Sequence, residues 1–436
     1  MNMFSRKRWI MSLSLVMLVA LLGYSDSQVA ALDKSAYKTL KTFNEVLHIV
    51  EKSYAEDVDV DSLVKGAING MMKSLDPHSS FMTADMYKEL EVDTRGTFGG
   101  IGIEITIQKD ILTVVSPIED TPAFKAGIKA GDQILMIDGQ STKDITITEA
   151  VKKLRGKSGI KVKLTIIREN ETKPRDFELI REMIKIKSVK SKIFDKNIGY
   201  IRLAAFQERT TEDLKKTLHD LVEKAHPLKG LVLDMRNNPG GLLTQAIEVS
   251  DVFMKSGEIV STRGRTKSME SKAVARKDGD EPVCPIVVIV NQGTASAAEI
   301  VAGALQDTGR ALIVGTRTFG KGSVQTVIPL EDGSALKLTT AKYYTPNGRS
   351  IQAEGIMPDI IVKYVAPAET KTSTDAVIRE RDLKGHMLSP KENGPKTNEE
   401  QLKEDDEPEE LVRDNQLKSA VDILKSWDIF KKNVKY

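Results

Sequence analysis

Two short stretches of this chain hold residues whose types and spacing could carry nucleophilic catalysis. The first is Asn291-Gln292-Gly293-Thr294-Ala295-Ser296-Ala297-Ala298-Glu299. An apolar run ends just before it, a glycine turn follows, and a helix is expected to begin at a serine flanked by alanines. A serine in that place stands among unpaired backbone N–H groups at the positive end of a helix, where an oxyanion can be stabilised. Its small neighbours leave room for substrate. The plain alternative is that Thr294 or Ser296 caps the helix and does nothing more.

The second stretch is Thr318-Phe319-Gly320-Lys321-Gly322-Ser323-Val324-Gln325. A serine needs a base, and Lys321 is the candidate. A lysine accepts a proton only when it is deprotonated, which requires desolvation. Lys321 lies between two glycines, beside Phe319 and just after an apolar strand. Gln325 could hold its amine with a neutral hydrogen bond, whereas a carboxylate there would raise the lysine pKa. The alternative is a solvated turn; the glycine spacing does not fit a Walker phosphate loop. The five histidines, His48, His78, His219, His226 and His386, lie in helices, a break and a polar linker. None has a neighbourhood that suggests a triad, and none is spaced for a metal site. The single cysteine, Cys284, sits in the apolar run Pro282 to Val290, which reads as a buried strand.

Both stretches fall in a region whose pattern alternates strand and helix. Strands are expected at Gly199–Leu203, Gly230–Asp234, Ile286–Val290, Ala311–Gly315, Ser323–Pro329 and Ala335–Tyr344. Helices are expected at Thr211–Lys224, Leu242–Phe253 and Ala295–Gln306. This predicts an α/β layered domain with buried, mainly parallel strands. From Gly96 to about Ile180 the texture is different, with short strands and glycine turns around a helix Ile145 to Leu154. From Ser35 to about Tyr87 apolar residues recur three and four apart, the mark of amphipathic helices. After about Pro367 the chain turns polar and acidic, and a helix Gln416 to Phe430 closes it.

Composition narrows the function. With 436 residues the chain is expected to fold as roughly two to four units. A net charge of +2 and 5% aromatic residues give no sign of nucleic-acid binding. Arg6, Lys7 and Arg8 precede an apolar stretch from Trp9 to about Gly23, and Val29-Ala30-Ala31 follows as a cleavage signature. This is the layout of a signal peptide over residues 1–31, so the protein is expected to be exported and to act outside the cytoplasm. An uncleaved N-terminal anchor is the alternative.

The two catalytic stretches together resemble the carboxyl-terminal processing (tail-specific) proteases. So does Asp234-Met235-Arg236-Asn237-Asn238-Pro239-Gly240-Gly241, with Met235 where leucine is usual. The resemblance runs through nearly the whole mature chain, in the family's order of segments. It implies a multidomain α/β protein with a crotonase-like serine protease core (184–366) and an inserted PDZ domain (95–183). A helical N-terminal segment (32–94), a polar linker (367–412) and a C-terminal helix (413–436) complete it. By the same resemblance Ser296 is the nucleophile, Lys321 the general base and Gln325 the residue that orients it. The oxyanion hole would use the N–H of Ala297 with that of Gly240 or Gly241. Read without the family, Asn237 to Gly241 is a strand-to-helix turn that needs glycine.

The segment Gly96–Ile180 resembles a PDZ domain. Phe98-Gly99-Gly100-Ile101-Gly102-Ile103 looks like its carboxylate-binding loop, where successive N–H groups can point at one anion. Pro122-Ala123-Phe124-Lys125-Ala126-Gly127, followed by Gly131-Asp132-Gln133-Ile134-Leu135, supports that reading. Arg155 is a candidate regulatory contact between this unit and the protease core. The expected activity is peptide-bond hydrolysis in proteins with accessible C-termini, favouring apolar tails because of Ile101 and Ile103, with no metal or other cofactor. The resemblance also implies a homodimer joined by the terminal helices, and it allows an adaptor protein as a further partner. Two rivals come from other classes: a peptide-binding scaffold with a dead core, and a crotonase-type coenzyme A enzyme. The complete Ser–Lys–Gln set argues against the first, and the signal peptide with its PDZ segment argues against the second.

Overall fold

The residues before Pro77 supply two helices, α1 (Lys34–Ser53) and α2 (Val60–Lys73). Asp59 opens α2 by accepting from the Asp61 N–H and the Ser62 hydroxyl, as an N-cap does. On α1 the side chains Tyr37, Leu40, Phe43, Val46 and Ile49 are all exposed. The fold is that of a computed structural model that describes residues 34–168, 171, 173–225, 227–366 and 408–433. The signal segment 1–31 and most of the linker lie outside the described residues.

From His78 onward the chain forms a second unit. Strand β1 (Ser80–Met82) leads into α3 (Ala84–Arg95), which Thr83 caps and Gly96 closes at φ 67°. Strand β2 (Thr97–Gly100) then enters a small domain made of β3 (Ile103–Gln108), β4 (Ile111–Pro117), α4 (Pro122–Lys125), β5 (Gln133–Ile137), β6 (Gln140–Ser141), α5 (Ile147–Leu154), β7 (Lys161–Ile167) and β8 (Arg175–Ile180). Its sheet runs β3-β4-β5-β7-β8 with β6 on β5, so β3 is an edge strand paired with β4 alone. Leu112, Val114, Ile134, Ala150, Leu164 and Ile166 fill its core. Strand β9 (Glu182–Lys185) leaves the domain and pairs with β2, so the entering and leaving segments form one two-stranded ribbon.

The larger domain is built on a six-stranded sheet of order β10-β11-β12-β15-β16-β19. Its strands are β10 (Val189–Phe194), β11 (Ile198–Leu203), β12 (Gly230–Asp234), β15 (Ile286–Val290), β16 (Leu312–Gly315) and β19 (Ile360–Ile361). All neighbours after β10–β11 are parallel. The run Ile286 to Val290 is buried throughout, which a parallel strand covered on both faces requires. One face packs on α6 (Thr210–Lys224), α7 (Leu243–Phe253) and α8 (Ala297–Asp307). The other face is covered by Leu411 of α9 (Glu409–Arg413) and by Leu417, Ala420, Val421 and Leu424 of α10 (Asn415–Asn433). A second sheet joins β13 (Glu258–Gly264), β14 (Ser271–Val274), β17 (Ser323–Pro329) and β18 (Ala335–Tyr344) with β1.

Three boundaries differ from the expectations. The C-terminal helical segment begins at Glu409 rather than after 412, because Glu409 and Glu410 sit in the first turn while Leu411 is buried. The run Pro282 to Val290 is strand only from Ile286, and Val283 is 90% exposed. Pro282 and Pro285 lack the N–H a ladder needs. Helix α8 starts at Ala297 rather than Ala295, which leaves Ser296 in the turn.

Candidate active site

The strands β12, β15 and β16 end at the same edge of the parallel sheet, and the turns that follow them meet there. This is where open α/β sheets place their sites. After β15 the chain makes a sharp turn and enters α8 through Ser296, at φ 54° and ψ −115°. A capping serine would be extended. A left-handed serine is strained, and such strain persists where surrounding structure enforces it. Here the enforcement is visible. The Thr294 hydroxyl, fully buried, donates to the Met235 carbonyl (2.9 Å) and accepts from the Asn291 N–H (3.0 Å). The Asn237 N–H donates to Asn291 Oδ1 (2.8 Å), and Asn291 Nδ2 donates to Asn237 Oδ1 (2.9 Å). Ala295 N–H donates to the Asn238 carbonyl (2.9 Å). Gly293 must be glycine, since a Cβ there would stand 2.5 Å from Asn237 Oδ1. The turn after β12 and the turn after β15 are thus stitched into one body.

The two candidate glycines are bonded differently. A Cβ on Gly240 would come within 2.9 Å of the Ser296 Cβ and 3.0 Å of the Ala297 nitrogen, so Gly240 lies against the serine. Its own N–H, however, donates to Asn238 Oδ1 (2.9 Å). The N–H groups of Gly241 and Ala297 are donors in no hydrogen bond among the described residues. These two are the uncommitted donors beside Ser296.

Glu299, one helical turn past Ser296, is fully buried and receives four hydrogen bonds. Its Oε2 accepts from the N–H of Ser296 (2.8 Å) and the N–H of Lys321 (2.8 Å). Its Oε1 accepts from the Thr318 hydroxyl (2.6 Å) and the Gly320 N–H (2.7 Å). One carboxylate therefore holds the serine turn and the lysine loop together, and Phe319 N–H adds a bond to the Thr294 carbonyl (3.0 Å). Sequence reasoning gave Glu299 no role. The signal was present, because Ser296-Ala-Ala-Glu299 has the spacing of a capping box. Lys321 itself is half-buried. Phe319, read as its apolar neighbour, is 62% exposed and does not cover it.

Gln325 lies on β17 opposite Thr339 of β18, at a bulge where Val324 pairs with Ala341 and Thr340 is the extra residue. Its Nε2 donates to the Thr339 hydroxyl (2.8 Å) and the Ser323 hydroxyl (3.2 Å). Its Oε1 is buried and has no hydrogen-bond partner.

Behind the Asn237 turn, Arg236 bonds Asp234 through Nε (3.0 Å) and Nη2 (2.7 Å) and reaches Asp414 through Nη1 (2.9 Å) and Nη2 (2.7 Å). Burial pushes the Asp234 carboxyl up, but the hydrogen bonds and charge of Arg236, helped by Arg202, outweigh it and hold the group below the ordinary carboxylate value. Asp414 was read as part of the helical tail, and its part in fixing Arg236 was not seen. Burial alone pushes the Tyr343 hydroxyl up to about 12. Among the described residues no cluster of three His, Cys, Asp or Glu side chains could hold a metal ion.

The residues read as a peptide site lie some way along the chain, at the mouth of the small domain. Gly99 and Gly100 belong to the β2–β9 ribbon. Ile101 is 2% exposed and packs in the domain core, so its side chain is not open to a ligand. Gly102 has φ 76°, and its carbonyl accepts from the Ile118 N–H (2.9 Å) and the Thr121 hydroxyl (3.1 Å). Ile103 begins the free edge strand β3. Gly100, Ile101, Gly102 and Ile103, with Ile105, Val151, Leu154 and Arg155, line a groove between β3 and α5; Gly99 instead lies against the Gly156 backbone. The Arg155 guanidinium lies over the Phe98 ring, 4.6 Å from its centre. Arg155 makes no hydrogen bond or ion pair to the protease core among the described residues.

Comparison with known proteins places the chain in a family. Residues 197–362 match the model of peptidase family S41, residues 99–179 match a PDZ domain, and residues 15–86 match the N-terminal domain of the activating protease CtpB. The chain is 48% identical to a carboxy-terminal-processing protease of Bartonella bacilliformis, over 83% of each chain. It is 40% identical to the carboxy-terminal processing protease CtpA of Bacillus subtilis, over 73% of this chain and 67% of that protein. Among solved structures, the photosystem II D1 C-terminal processing protease is 30% identical, with 74% of this chain and 92% of that chain covered and a TM-score of 0.45.

Proposed function

The chain belongs to peptidase family S41 and is a carboxy-terminal-processing serine peptidase carrying a PDZ domain, and from that premise we propose that it works through a Ser296–Lys321 dyad. The observation that carries this reading is the Glu299 clamp, in which one buried carboxylate bonds the backbone of both residues. Neutral Lys321 takes the hydroxyl proton of Ser296 as its oxygen attacks the scissile carbonyl carbon. The oxyanion is met by the N–H groups of Ala297 and Gly241, donors already in place before the charge develops. Lys321 then gives its proton to the leaving amine, and the acyl-enzyme is cleared when Lys321 draws a proton from water. Gln325 offers its carbonyl oxygen to the lysine amine.

Substrate tails would enter the groove between β3 and α5. There the tail carboxylate meets the N–H groups of the Ile101–Gly102 turn and the peptide adds to the free edge of β3. Apolar last residues suit the Ile103, Ile105, Val151 and Leu154 walls. The order of basic, apolar and small residues over 6–31 supports export to the periplasm or cell envelope. No helix among the described residues is long and apolar enough to cross a membrane. The exposed apolar side chains of α1 support a homodimer. An adaptor protein that delivers substrate is compatible with the groove.

The test is cleavage of an unstructured protein with an apolar C-terminus by the mature enzyme, beside Ser296→Ala and Lys321→Ala. Both variants should melt like wild type and cut at least about 10⁴-fold more slowly. Activity should fall on acidification, because protonated Lys321 is no base. A Lys321→Ala enzyme that cuts at the wild-type rate refutes the dyad.

A further inference from the structure

Resting on the dyad reading, we propose that Thr339, backed by Ser79, is a positioning residue that fixes which end of the Gln325 amide faces the lysine. A glutamine amide presents an acceptor at one end and two donors at the other. If the carbonyl faces the Lys321 amine, it accepts a lysine N–H and leaves the nitrogen lone pair for the Ser296 proton. If the amide is turned over, its NH₂ donates into that lone pair and the base is occupied. Catalysis therefore depends on the amide staying one way round, and something must hold it.

The holding group is visible in the sheet. Both Gln325 N–H groups are spent on hydroxyls, one on Thr339 (2.8 Å) and one on Ser323 (3.2 Å), and the buried Oε1 is left aimed elsewhere with no partner. A buried carbonyl oxygen without a donor is costly, so the arrangement makes sense if a donor belongs there during turnover. The Thr339 position is not accidental. On the side of β18 away from β17, strand β1 pairs with residues 335–337 and strand β13 with residues 341–344. Thr339 falls in the gap between them, where no strand can meet its backbone N–H. Ser79, 4% exposed, fills that gap: its hydroxyl oxygen accepts the Thr339 N–H (3.1 Å), and the same hydroxyl lies 3.4 Å from the Thr339 hydroxyl as donor. Across the strand, the bulge at Thr340 brings Thr339 rather than Thr340 opposite Gln325; bulges commonly re-aim side chains beside active sites. The line Ser79–Thr339–Gln325 therefore reaches from the residue just before strand β1 to the group proposed to orient the candidate base.

The test compares Thr339→Val, which keeps shape and removes the hydroxyl, with Thr339→Ser, which keeps the hydroxyl. Thr339→Val should lower kcat about tenfold with KM unchanged, the scale of one lost hydrogen bond. Its acidic limb should move to lower pH, since an NH₂ facing the amine favours the neutral lysine. Thr339→Ser should stay within about twofold of wild type. In a Gln325→Ala background, Thr339→Val should add nothing, because the two act as one unit. Ser79→Ala should shift the same two readouts less far, and it stands in for Thr339→Val if that variant does not fold. Equal losses in the Val and Ser variants, an unmoved acidic limb, or a full Thr339→Val effect in the Gln325→Ala background each overturn the proposal. A Gln325→Ala enzyme indistinguishable from wild type refutes instead the part of the dyad reading on which it rests.

Discussion

The turn around Ser296 and the loop Ile101–Gly102 both present backbone N–H groups where an anion would sit, and they are held in opposite ways. The first is fixed by buried polar side chains. Glu299, Thr294 and Asn238 are fully buried and tie three separate turns into one body. The second is fixed by backbone: the Ile101 carbonyl accepts from the Ala123 N–H (2.9 Å) and the Gly102 carbonyl from the Ile118 N–H (2.9 Å), with the Thr121 hydroxyl alone helping. A reacting centre must be placed to within fractions of an ångström, and charge-assisted bonds in a dry interior provide that. A docking groove needs an open strand edge and space, which a rigid buried network would close.

The comparison breaks most sharply at Glu299. Glu299→Ala strands four donors, two of them buried; it should abolish cleavage and cost about 3–5 kcal/mol in urea unfolding. If the variant keeps activity, the clamp is not what aligns serine and lysine. Next is Gly102→Ala. Its Cβ would stand 2.3 Å from the Thr121 Cβ at a left-handed φ, so KM for a protein with an apolar tail should rise about tenfold while the core melts as before. On the proposed facing of Gln325 and Lys321, Gln325→Glu would put a carboxylate at the amine, and the acidic limb of activity should move up by about one pH unit. Acid separates the two regions again. Asp234 has a lowered folded pKa, so its stabilisation is complete above the ordinary carboxylate value of about 4 and is lost as pH falls through the lowered value. The melting temperature of wild type should drop steeply in that window, and that of Asp234→Asn should drop less. The smallest effect belongs to Arg155→Ala, which removes a contact over Phe98 of about 0.5–1 kcal/mol. A change in tail affinity without a change in kcat would make Arg155 a groove wall; a loss of kcat would make it a gate.

Much of the fold was legible because it is local. The apolar runs of the parallel sheet, the glycine turn before Ser296 and a helix with Thr146 or Thr148 as its opener carry their own signals, and the structure chooses Thr146, with a full capping box to Glu149. The Asp138-Gly139 turn after β5 shows the same, with both residues at positive φ. Strand β1 was not legible. Three residues paired to β18 across more than 250 positions leave no periodicity of their own.

The sequence by itself pointed to the residues proposed for the chemistry: Ser296 and Lys321 at turns after apolar strands, Gln325 on the strand that follows Lys321, and a glycine loop before an edge strand. Spacing along the chain suffices for this because nucleophile, base and loop each need a local backbone shape. Only the tertiary structure decided what holds them. Ser79 and Thr339 are 260 positions apart and Arg236 and Asp414 are 178 apart. Gly241 rather than Gly240 keeps an uncommitted N–H because Asn238 reaches back to the latter. Such choices depend on which buried donor finds which acceptor once the sheets close, and no single stretch of sequence contains both partners.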